Sequence, residues 1–171
     1  MKRIAIAAIV VFSLTLGLGG ALAADGGATV ETFPVSFVLS SATCSNLPAG
    51  TTITGSGTGT SITTVRTDRS GVTTVMNTTH DHGTAVDQDG NTYVFDYSNE
   101  FRVSNSQEDA GTFTGMMTDH FSLAGSGPAR LSNGFVTQWE TDFTSFSSFE
   151  PINSRGDPID FATGAAHCDP L

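Results

Sequence analysis

The sequence predicts an all-β domain: a single antiparallel barrel of about eight strands, with a β-sandwich as the alternative architecture. Three observations carry the prediction. No stretch of about ten or more residues after position 24 places apolar side chains at helical spacing. Thr, Ser, Val, Ile and Phe instead dominate segments in which apolar and polar residues alternate. Clusters of Gly, Asn, Asp and Pro separate those segments at short intervals.

The first element is a leader. Lys2 and Arg3 precede the apolar run Ile4 to Leu18, and Ala21-Leu22-Ala23 supplies the small residues of a cleavage site, so residues 1–23 are expected to be a secretory signal peptide cut near Ala23. Gly17, Gly19 and Gly20 weaken the run as a membrane span, and no basic cluster follows it. The whole chain has 171 residues and a formal charge of −10. Without the leader, residues 24–171 hold no lysine, five arginines and all 17 acidic residues, a charge of −12. Such a balance excludes a basic nucleic-acid surface and an anionic-membrane binder, and it fits a soluble, self-repelling protein exported to the periplasm or the extracellular space.

Export makes Cys44 and Cys168, the two cysteines, readable as a disulfide. The bond would tie the end of the first strand to the C-terminal tail. Closing a loop of roughly 120 residues would contribute about 4 to 5 kcal/mol in the chain-entropy picture.

Residues 24–171 suffice for one domain with one core. Turn chemistry at Asn46–Gly50, Asp68–Gly71, Asp87–Asn91, Gly125–Pro128 and Asn153–Pro158 divides it. Between those turns, strands are expected at about Thr32–Ser40, Thr51–Thr67, Val72–Val86, Thr92–Val103, Thr112–Leu123 and Ala129–Thr141. A weaker pair is expected near Phe143–Ile152 and Ile159–Thr163. Long neighbouring strands joined by short turns suit an up-and-down barrel.

Alternation assigns the faces. In the first segment Phe33, Val35, Phe37 and Leu39 line up. In the fourth, Tyr93, Phe95, Tyr97, Phe101 and Val103 share a parity, and in the fifth Phe113, Met117, Phe121 and Leu123 do. The sixth aligns Leu131, Phe135 and Trp139. The second segment is unusual: Gly55, Gly57 and Gly59 alternate with Ser and Thr, which leaves one face without side chains, either to receive the aromatic rows or to leave a gap for a ligand.

Few residues point to chemistry. His80 and His82, two apart on one strand, would share a face and sit roughly 6 to 7 Å apart, near enough to share a metal. They take the parity of Val72, Met76 and Val86, expected to face inward, but they supply two of the three or four ligands a zinc site needs. No metal and no cofactor is assigned. Asp119 has the inward parity between Met117 and Phe121, where a carboxylate either finds a partner or rises in pKa; a bulge at Gly115 would turn it outward instead. Asp87–Asn91 resembles a calcium loop only in composition, since its glycine is misplaced for one, and a hairpin turn accounts for it. Nucleophile-elbow, zinc-protease, phosphate-loop and dinucleotide motifs are missing.

In size, hairpin order and aromatic interior the predicted domain resembles secreted carrier barrels such as the lipocalins and barrels of the dirigent and allene-oxide-cyclase type. The resemblance is one of architecture, because the lipocalin Gly-x-Trp motif is absent and Trp139 is the single tryptophan. The expected function is therefore binding of a small apolar molecule among Tyr93, Phe95, Tyr97, Phe121, Phe135 and Trp139, with Asp119, His80 or His82 as polar anchors. The alternatives are a barrel-type isomerase or cyclase that uses Asp119 or the histidines, and a structural or adhesive domain with a filled core.

Overall fold

The fold follows from alternation carried through long hairpins. A computed structural model of the chain describes residues 27–105, 111–142, 150–156 and 165–166. The expected leader, residues 1–23, lies outside them. The described strands are β1 (Ala28–Ser40), β2 (Thr52–Thr67), β3 (Thr73–Asp87), β4 (Thr92–Asn105), β5 (Phe113–Gly125), β6 (Leu131–Thr141), β7 (Glu150–Gly156) and β8 (Ala165–Ala166). They make one sheet in the order β7-β6-β5-β4-β3-β2-β1-β8. The first seven pair consecutively and antiparallel, while the short β8 runs parallel to β1 at Val38 and Leu39.

The hairpin turns have the expected chemistry. At the β2–β3 corner Asp68 Oδ1 accepts from the Ser70 and Val72 amides at 2.8 and 3.1 Å, and Gly71 takes a φ of 85° that side chains resist. At the β3–β4 corner Asp87 Oδ1 accepts from the Asp89 and Asn91 amides, and its Oδ2 from the Asn91 amide group and the Tyr93 hydroxyl. Those four bonds use the carboxylate as a turn clamp, and they hold its pKa low against the upward push of burial.

The inner face carries the core. Phe37, Leu39, Leu47, Ile53, Tyr93, Phe95, Phe121, Leu123 and Leu131 form its main cluster, and Met117, Phe135 and Trp139, with Phe101 against them, form a second. Cross-sheet contacts reveal how strongly the sheet coils. Four ladders separate β1 from β5, about 19 Å in a flat sheet. Yet the Phe37 and Phe121 ring centroids lie 5.9 Å apart, and Phe37 meets Phe95 edge-on at 4.9 Å. The sheet therefore curls over its own inner face. Among the described residues no ladder joins β7 to β8 or β1, so the sheet is open and has two edges; the barrel expected from the sequence is present only as this all-β, antiparallel coil.

Two further expectations are corrected. Asn153–Arg155 belongs to β7 rather than to a turn: Asn153, Ser154 and Arg155 pair with Gln138, Thr137 and Val136. Ladder pairing to β6 overrides local turn propensity there. In β3 the inward parity is that of Val75, Asn77, Thr79, Asp81, Gly83, Ala85 and Asp87, with Met76 and Val86 exposed. The expected strand at Ile159–Thr163 lies outside the described residues.

Candidate functional site

Registers place the inner-face residues in rows across the strands. One row runs Gly59, Asp81, Tyr97, Phe121, Asn133 from β2 to β6, and the next runs Ser61, Thr79, Asn99, Asp119, Phe135. Ser61, Thr79, Asp81, Asp119 and Asn133 are all buried. These two rows form a polar belt between the two aromatic clusters, and polar groups in such a place need partners.

Some have them. Asp119 Oδ1 accepts from the Tyr97 hydroxyl at 2.8 Å and from the Asn99 amide group at 2.6 Å. Burial raises the Asp119 pKa, and those two hydrogen bonds pull it partly back. Burial and the facing Asp119 carboxylate push the Tyr97 hydroxyl well above its ordinary range, with Asp81 adding to the effect, so Tyr97 stays a donor. Asn77 closes the belt toward β2 by donating to Ser61 Oγ and Thr63 Oγ1, both at 2.8 Å.

Two members do not. Asp81 Oδ1 and both amide atoms of Asn133 are buried without a hydrogen-bond partner among the described residues. Asp81 is 4% exposed and Asn133 is 3% exposed. Burial raises the Asp81 pKa to about 6, although the charges of His80 and His82 oppose the shift. No basic side chain is buried among the described residues, and all five arginines of residues 24–171 are exposed.

The belt is held open for Asp81 by glycine. A Cβ on Gly59 would run into Asp81 Oδ1 and the Phe33 ring, and one on Gly55 would run into the Phe37 ring. The glycines of β2 thus receive the aromatic rows, one of the two roles expected for them, and also seat the carboxylate.

The sequence-derived site residues fall into separate places. Tyr97, Phe121 and Asp119 meet in the belt. Tyr93 is buried in the main cluster, its hydroxyl spent on Asp87 at 2.8 Å, while Phe135, opposite Asp119 in the second row, packs with Trp139 in the second cluster. His80 and His82 are on the outer face, which corrects their expected inward parity. Hydrophobicity pointed to the other face, because apart from Val75 the inner positions of β3 are small or polar and the apolar Met76 and Val86 point out. Their rings stack at 5.8 Å, and His80 Nε2 pairs with Asp96 Oδ2 at 2.8 Å, both side chains at least half exposed. No three His, Cys, Asp or Glu among the described residues are grouped to hold a metal ion. A shallow cleft of about 500 Å³ lies on this outer face between His80, Ser98, Glu100 and His120. Cys44 is fully buried, whereas Cys168 lies outside the described residues.

Asp81, Asn133, Thr79, Asn99 and Ser61 were missed from the sequence. The usable signal was the Asp68–Gly71 turn: with Thr67 opposite Thr73, parity passes from Ile53 and Ser61 on β2 to Asp87 and Thr79 on β3, and hence to Asp81. Comparison with protein families, curated proteins and solved structures finds no match to this chain.

Proposed function

We propose that the chain is an exported carrier that binds a small, largely apolar molecule inside its coiled sheet, which closes toward a barrel around it. One observation carries the reading: Asp81 and Asn133 present unpartnered buried polar atoms in a single row with Tyr97 and Phe121. An unmet buried polar group costs about 1 to 3 kcal/mol, a cost that a ligand's polar group placed there removes. The aromatic clusters on either side of the belt would take the ligand's apolar body.

Export rests on the Lys2-Arg3 start, the apolar run and Ala21-Leu22-Ala23, and the acidic, lysine-free remainder fits a freely soluble protein that avoids nucleic acid and anionic membranes. The enzyme alternative receives less support. Asp119, its acid-base candidate, is fixed by Tyr97 and Asn99, an arrangement that suits positioning better than proton transfer.

Native mass spectrometry of protein purified from its own host tests the reading. The wild type is expected to retain a stoichiometric small molecule that Asp81→Leu combined with Asn133→Leu no longer holds. A bare wild type, together with a double variant that is merely more stable, would show an imperfectly satisfied core and overturn it.

A further inference from the structure

The buried charges of the described residues are all of one sign. Asp81, Asp87 and Asp119 are buried acids, and no Lys, Arg or His accompanies them inward. Asp87 accepts from four donors, and Asp119 accepts from Tyr97 and Asn99. Asp81 has no such donor on Oδ1. The titratable group that faces it is Tyr97 from β4, whose hydroxyl also donates to Asp119 of β5, while Phe33, Gly59, Ser61 and Asn133 from β1, β2 and β6 carry no charge. His80 and His82 stand on the opposite face of β3.

We propose that the interior site selects an organic cation, an ammonium group on an apolar body, with Asp81 as its counter-ion and Asn133 and the Tyr97 and Phe121 rings of the same row around it. This rests on the carrier reading above and adds the chemistry of the head group. Three physical arguments favour the cation. A neutral hydroxyl would fill one lone pair of Asp81 and leave the buried charge uncompensated. A carboxylate or phosphate head group would meet Asp81 and Asp119 at like charge in a weakly screened interior. An ammonium offers three donors against the acceptors Asp81 Oδ1 and Asn133 Oδ1, and aromatic faces attract it through their quadrupoles. A bare metal ion is a poorer fit, because no three of its usual ligands are grouped among the described residues.

The test compares straight-chain alkylamines, alcohols and carboxylates of about six to twelve carbons by calorimetric titration of the full secreted protein. At neutral pH the amines are expected to bind about tenfold or more tighter than alcohols of equal length, carboxylates weakest of all. Asp81→Asn, verified as folded by its thermal transition, is expected to abolish the preference while keeping alcohol binding. That control also separates the interior from simple attraction of amines to an acidic surface. Equal affinities, a carboxylate preference, or an amine preference that survives Asp81→Asn overturn the head-group assignment and leave the carrier reading standing. No binding by any of the three series overturns both.

Discussion

Asp81 is the residue on which the chemistry of the interior turns. Its carboxyl titrates near pH 6 in the fold and near 3.8 when exposed. Between those values the folded state holds more protons than the unfolded one, so stability falls as pH rises from about 4 to 6 and then levels off. Two units correspond to roughly 3 kcal/mol as an upper magnitude. Chemical denaturation at pH 4 and pH 7 should therefore show the wild type losing stability relative to Asp81→Asn over that window. Parallel curves for the two proteins would mean that Asp81 is not buried as charge. This residue was legible in the sequence only through register, because its strand hides a small, polar inner face behind an apolar outer one.

At the scale of elements, β2 decides how closely the sheet can curl. Its alternate glycines leave room for Phe33 and Phe37, and Phe37 in turn touches Phe95 and Phe121 across the coil. Gly55→Ala would drive a methyl group into a ring already fixed by two others, for a loss of about 1 to 3 kcal/mol. Gly134 on β6 offers the control, since a Cβ there meets nothing within 4 Å. Gly134→Ala should leave stability unchanged or raise it by about 0.5 kcal/mol. Thermal melts of the two variants check both statements, and equal losses would show that backbone freedom, not ring packing, explains the β2 glycines. The glycine pattern announced a special strand; which rings filled it depended on strands far away in sequence.

For the whole molecule, the C-terminal chain returns to its beginning. The parallel pairing of Ala165–Ala166 with Val38–Leu39 sets residues near Cys168 beside the strand that leads to the buried Cys44. Cys168 itself lies outside the described residues, so the Cys44–Cys168 bond stays an expectation from the sequence, with a direct test. Intact mass measured with and without reductant should differ by two protons' worth of hydrogen, and reduction should lower Tm by roughly 10 °C. Two free thiols in the native protein would remove both the bond and an argument for export to an oxidising compartment.

Alternation, turn residues and composition by themselves determined the all-β class, the six long strands and the inward parity of β1, β4, β5 and β6. These are local properties, because a strand's two faces and a tight turn's dihedrals are set by neighbours in the chain. Only the tertiary structure decided that the sheet is an open coil among the described residues, that His80 and His82 face outward, and that Asp81 and Asn133 share a row. Those outcomes depend on register and curvature, which bring together β3 and β6 residues some fifty positions apart. No local spacing records such a meeting.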